Sequence, residues 1–323
     1  MSLTSQLRYK DSPVRQFFMK YEDKAGAKEC LKWIQSSKTP IEPLLESPSR
    51  SYFQYVGITT DYLIRYIANN NFFDFSSVER SIRIPIGSEG GIESTAFCEY
   101  ILFEKIARIY LDGRPVDELA IYSATALAMA ISLYRSGRLP RLFWQEISYE
   151  KKKSIGNLRC GSDADERTVM WLFDEYCFEK LNWDLYVQDV LAITRIFIDS
   201  SNNHDGELRH SKFTVNGKAL ANQGLVDGAD FDCVIQQNEK KILTDIKATV
   251  KPLVMEYLRQ LIGYVLLHDE SLDAFEISDV GIYFSRTGEF RYLPVEVLIQ
   301  KCLPSFKSIA EAKEAFRREV RYW

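Results

Sequence analysis

Between residues 228 and 264 the chain carries acidic and basic side chains at spacings that two adjacent strands would bring together. Asp230 and Asp232 lie in Gly228-Ala-Asp-Phe-Asp-Cys-Val-Ile235, and Asp245 and Lys247 lie in Lys241-Ile-Leu-Thr-Asp-Ile-Lys247. The polar stretch Gln236 to Lys240 between them reads as a tight turn, which makes the two runs a hairpin. Side chains alternate between the faces of a strand, so Asp230 and Asp232 share one face and Asp245 and Lys247 share another. A register that joins these faces gathers acids and a lysine at one end of the hairpin. Such carboxylates suit Mg²⁺ or Mn²⁺ and leave coordination positions for water and a substrate phosphate. The metal lowers the pKa of bound water and stabilises attacking and leaving oxygens, while a lysine neutralises developing charge. The plain alternative is an edge hairpin whose Asp245 and Lys247 pair in solvent for about 0 to 1 kcal/mol. That arrangement leaves three like charges crowded on one face, a repulsion that a bound cation would relieve.

The following segment adds Gln260 and Tyr264 in Gln260-Leu-Ile-Gly-Tyr264, four residues apart on one face of a predicted helix. An acid on one strand, Asp-x-Lys on the next and Gln-x-x-x-Tyr on the helix after them resemble the PD-(D/E)XK nuclease superfamily, in particular its RecB-like branch. The resemblance covers about the last third of the chain, residues 200–323. It implies that Asp232 and Asp245 bind the metal, that Lys247 serves the attacking water and that Gln260 and Tyr264 line the site. Asp230 is the alternative ligand on the first strand, because Gly-x-x-Asp is the family's commoner spacing and this chain has Gly228-x-Asp230-x-Asp232. Such sites often take a further acid from a preceding helix, for which Asp189 and Glu207 are the candidates. Two earlier stretches, Val56 to Tyr66 and Ser94 to Phe97, also resemble bacterial nuclease-like proteins, the first reading more simply as packing in a helical domain.

The elements that must hold these residues follow from local pattern. Strands are expected at Lys212–Val215, Phe231–Gln236, Lys241–Lys247, Val280–Ser285 and Phe290–Pro294, with helices at Leu253–His268 and Ile309–Val320. Thr287-Gly288 reads as a hairpin turn, and Arg286 and Arg291 beside it as exposed charges or phosphate contacts. Thr249 reads as structural at a strand end. The polar run after Asp199 marks a boundary between a mostly helical N-terminal region, residues 1–199, and a mixed α/β (α+β) core, residues 200–323. Residues 36–50, with three prolines, read as a connector after an N-terminal helix.

Composition narrows the function classes. With 323 residues, 46% of them hydrophobic and 27% charged, the chain suits one large or two ordinary globular domains. Its six cysteines form no CxxC pair and its three histidines cannot build a histidine-rich site, so chemistry must rest on carboxylates and lysine. The apolar stretch Leu119 to Leu133 is too short and too interrupted to cross a membrane and reads as a buried helix. No secretory leader pattern opens the chain, and a cytoplasmic location is expected. A formal net charge of −4 speaks against nonspecific coating of nucleic acid, while Arg135 to Lys153, basic with interleaved aromatics, is a local candidate surface. The expectation is therefore a Mg²⁺- or Mn²⁺-dependent nuclease acting on DNA. The alternative is an inactive module of the same fold that binds nucleic acid or, through its helical region, a partner protein.

Overall fold

The computed structural model describes residues 2–46, 50–72, 113–136, 182–217, 219–226 and 228–320. These fall into two compact units, Met1–Ile41 with Ile196–Trp323, and Glu42–Arg195. The sequence boundary near residue 199 left the first helices with the N-terminal region, whereas here they pack in the same unit as the sheet.

That unit opens with α1 (Leu3–Arg8), α2 (Pro13–Tyr21) and α3 (Lys24–Ile34). Each start is written locally: the Ser12 hydroxyl accepts from the Arg15 N–H with Pro13 in the first turn, and the Asp23 carboxylate accepts from the Gly26 N–H. The second unit contributes α4 (Arg50–Ala68), α5 (Glu118–Ser136) and residues 183–195 of α6 (Trp183–Asn202). Buried polar groups tie its helices: Tyr186 Oη lies 2.7 Å from the Thr59 hydroxyl and 3.0 Å from that of Thr125. The expected buried helix at Leu119–Leu133 is α5, in which Ile121, Ala124 and Leu127 are fully buried. No helix among the described residues is long and apolar enough to cross a membrane.

The sheet is β1 (Ser211–Asn216), β2 (Cys233–Gln237), β3 (Lys240–Lys247), β4 (Asp279–Phe284) and β5 (Glu289–Pro294), in that spatial order. Neighbours are antiparallel except β3 and β4, which run parallel. Parallel strands need a crossover, and α7 (Met255–Leu267) with the short α8 (Glu270–Asp273) supplies it. Two helices follow β5, α9 (Val295–Cys302) and α10 (Ile309–Val320); α9 was not expected from sequence. The tight turns use left-handed backbone where expected, at Asn238 (φ 57°) between β2 and β3 and at Gly288 (φ 68°) between β4 and β5.

Alternation divides the sheet side chains. Val234, Leu243, Val280, Ile282 and Phe284 join the apolar core built with α1, α2, α3, α7, α9 and α10. The opposite face sets Tyr283 and Phe213 against Phe197, with ring centroids 5.7 and 5.8 Å apart. Gly263 lets α1 lie directly on α7, since a Cβ there would stand 2.9 Å from both Leu3 methyl carbons. Asp245 and Lys247 follow Leu243 at two-residue steps, so β3 carries them on the face that α7 covers.

Candidate functional site

The C-terminal end of β3 places a charged pair where alternation would otherwise continue the core. The Asp245 carboxylate, 3% exposed, pairs with the Lys247 ammonium. Asp232 stands just before β2 begins. The β2–β3 ladder runs from Gln237↔Lys240 to Cys233↔Thr244, and beyond its last pair Asp232 Oδ2 accepts from the Ile246 N–H at 2.7 Å. This side chain therefore replaces the next ladder bond, which is why the strand opens at Cys233 and not at Phe231.

Helix α7 closes the cluster from above. Gln260 Nε2 donates to Tyr264 Oη at 2.6 Å, and that hydroxyl donates to the Asp230 carbonyl at 2.7 Å. Both side chains are buried, so together they fasten the loop that carries Asp232. The Asp230 side chain itself is exposed, and its backbone forms an isolated bridge with Ala219. Of the two candidate acids on this segment, Asp232 is the one whose carboxylate acts on Asp245 and Lys247. A contributor that the sequence reading missed is Tyr257, whose ring centroid lies 4.9 Å from Lys247 Nζ. Its spacing to Gln260 and Tyr264, three and seven residues on, is the one-face period of a helix, a signal that could have found it.

The electrostatics are those of under-solvated acids. Burial pushes the Asp245 carboxyl up to about 7; Lys247 opposes that shift and the neighbouring Asp232 carboxylate adds to it. Burial pulls the Lys247 ammonium down, but Asp245 and Asp232 outweigh it and hold it above the usual lysine value. Burial, reinforced by the charges of Asp245 and Asp232, raises the Tyr264 phenol well above its ordinary value. It stays a hydrogen-bond donor across the neutral range.

Among the described residues no group of three or more His, Cys, Asp or Glu side chains is arranged to hold a metal ion. The donor set is instead two carboxylates, Asp232 and Asp245, whose mutual repulsion a cation would relieve. Mg²⁺ takes one or two carboxylates and completes its shell with water and substrate oxygens, so this pair fits such an ion and does not fit an all-protein cage.

The other expected participants have partners of their own. Glu207 pairs with Lys38 at 3.0 Å, and its carbonyl accepts from Gln237 Nε2. Gln237 ends β2 four residues beyond Cys233, about 13 Å along the strand, so Glu207 does not join the cluster. Asp189 belongs to the other compact unit, where its buried carboxylate accepts from the Tyr52 hydroxyl at 3.0 Å. Arg286 is 1% exposed and donates to the Ala248 and Ile41 carbonyls at 3.0 and 3.2 Å, so it is structural and not a phosphate contact. Arg291 pairs with Glu289 at 2.5 Å, and Glu289 also accepts from the Ser36 hydroxyl (2.6 Å), the Ser37 N–H and hydroxyl (2.7 Å each) and the Lys38 N–H (3.3 Å). Thr249 bonds the Lys251 backbone in a local turn, as expected. Residues 137–153 of the basic stretch and the Ser94–Phe97 segment lie outside the described residues.

No protein-family model, curated protein or solved structure matches the chain.

Proposed function

We propose that the protein is a Mg²⁺- or Mn²⁺-dependent nuclease of the PD-(D/E)XK type that hydrolyses phosphodiester bonds in DNA. The observation that carries this reading is the convergence of Asp232, Asp245 and Lys247 at one end of the β2–β3 hairpin, under a helix whose Gln260 and Tyr264 fasten the Asp232 loop. An ion held by Asp232 and Asp245 would supply Lewis-acid charge at the scissile phosphate. Lys247 is the chain's own electrophile. Its ammonium stays charged between carboxylates, orients the attacking water and stabilises the negative charge that grows on the phosphate oxygens. Asp245 fixes the direction of that ammonium, and Tyr264 and Gln260 fix the position of Asp232.

The test is a cleavage assay of the full chain on single- and double-stranded DNA and RNA, with Mg²⁺, with Mn²⁺ and with a chelator. Cleavage of DNA that requires the metal is expected; no cleavage of any substrate under any condition overturns the reading. Two observations favour a second reading, a module of this fold that binds nucleic acid or a protein without turnover: Asp232 already accepts a backbone N–H, and Glu207 is engaged with Lys38. A calorimetric Mn²⁺ titration separates the two, because a site without turnover is expected to bind the ion weakly or not at all.

A further inference from the structure

We propose that Tyr257 is the positioning residue for Lys247, its ring face forming the wall that aims the ammonium at a substrate oxygen. This rests on the reading of Lys247 as the group that meets the scissile phosphate. Tyr257 stands in the first turn of α7, and Lys247 Nζ lies 4.9 Å from its ring centroid. On another side the ammonium pairs with Asp245. The lysine side chain keeps 18% of its surface exposed, so solvent, and with it a phosphate oxygen, has access to this residue.

The physical need for a second wall is specific to lysine. An ammonium on a four-carbon stem has no fixed fork of donors and loses rotamer freedom when it is held. A carboxylate alone would let it swing around its oxygens. An aromatic face attracts the cation through its quadrupole, more strongly where water is partly excluded, and it takes up no N–H donor, so those that do not meet Asp245 stay available to the substrate. Tyr257 is half-buried and packs against the core, whereas Gln260 and Tyr264 on the same stripe are buried, so a leucine at 257 keeps apolar packing while removing the ring face.

The experiment compares Tyr257→Leu and Tyr257→Phe in the full chain by turnover, by unfolding temperature and by NMR of protein labelled with ¹³C at lysine Cε. The Lys247 signal is identified by its loss in Lys247→Arg. In Tyr257→Leu, kcat on the cleaved DNA is expected to fall about tenfold with KM nearly constant, the strength of a partly desolvated cation–π contact. Tyr257→Phe keeps the ring face and should stay within about threefold of the parent on the same grounds. The Lys247 signal should move downfield in the Leu variant as ring-current shielding is lost, and stay in place in the Phe variant. A signal that does not move in Tyr257→Leu overturns the proposal whatever the turnover, and so do equal losses of kcat in the Leu and Phe variants, which would assign the effect to the hydroxyl. Should the parent protein cleave nothing, the nuclease reading fails on its own, and the lysine signal still decides whether Tyr257 holds Lys247.

Discussion

Two carboxylates are buried in the sheet unit to nearly the same degree, Glu289 at 2% exposure and Asp245 at 3%, and their surroundings drive them in opposite directions. Burial alone would raise both. At the head of β5, Glu289 pairs with the Arg291 guanidinium and is met by donors from Ser36, Ser37 and Lys38, and these donors bring its pKa down to about 2. At the end of β3, Asp245 has the Lys247 ammonium on one side and a second carboxylate on the other, and it sits near 7. The difference lies in what opposes burial: several donors at Glu289, a single lysine offset by a second carboxylate at Asp245. A buried acid whose oxygens are filled with donors is a fastener, here joining the segment after α3 to the β4–β5 hairpin. A deeply buried acid set beside another acid is held ready for a cation or a proton, and strongly perturbed groups of that kind concentrate at functional sites.

The sharpest way to break this comparison is Asp245→Ala. If the β3 cluster is the working site, cleavage should drop to background while the chain still folds, because Lys247 keeps the Asp232 carboxylate as a counter-charge. Full activity in a folded variant would dissociate Asp245 from the chemistry. Lys247→Ala comes next, with turnover expected to fall by about a hundred- to a thousandfold, the scale of one lost electrostatic stabiliser. Since the lysine is not a ligand, calorimetry should find its Mn²⁺ affinity within about tenfold of the parent or tighter, about 1.4 kcal/mol at most. Loss of metal binding together with unfolding would make Lys247 a structural counter-ion.

A smaller and more diagnostic effect separates the two acids before β2. Asp232→Asn keeps an oxygen that can accept the Ile246 N–H, so the strand start should survive while a ligand charge is lost, and activity should fall at least about tenfold. Asp230→Asn changes an exposed side chain and keeps the carbonyl that Tyr264 holds, and activity should stay within about twofold. The reverse order, measured as kcat/KM on the same DNA, would shift the site by two residues.

How much of this was legible in the sequence follows from the range of the forces involved. The strands were readable because alternation and turn residues are local: β3 was expected from Lys241 and begins at Lys240, and Thr287-Gly288 does form the turn before β5. The start of β2 was misplaced because a side chain of Asp232 performs what pattern alone would assign to backbone. That α1 to α3 pack with the sheet unit was not readable, since it depends on partners more than two hundred positions apart, such as Glu22, which accepts from Arg259 at 2.8 and 2.6 Å. Arg286 read as a surface charge for the same reason: nothing near it in sequence announces the Ile41 carbonyl. Asp232, Asp245, Lys247, Gln260 and Tyr264 were legible as a group because a hairpin and the helix after it bring them together within 33 residues of chain.

The smallest expected effect tests the other side of the comparison, through Glu289→Gln. The carboxylate is depressed from 4.5 to about 2 in the folded chain, so the unfolded state binds its proton first as the pH falls. The stability it contributes is thus fully present above about pH 4.5 and drains away as the pH drops toward 2. Glutamine preserves the size and one acceptor oxygen but presents an amide N–H₂ to the Ser37 N–H or the Arg291 guanidinium, leaving donors facing donors at a buried point. A loss of about 1 to 3 kcal/mol at neutral pH is expected from urea unfolding, with cleavage of DNA by the folded protein essentially retained. The variant's stability should also decline less steeply than the parent's between pH 4.5 and pH 2. Equal slopes in the two proteins would show that Glu289 does not hold the segment after α3 through its charge, and would remove the contrast with Asp245 from the fastener's side.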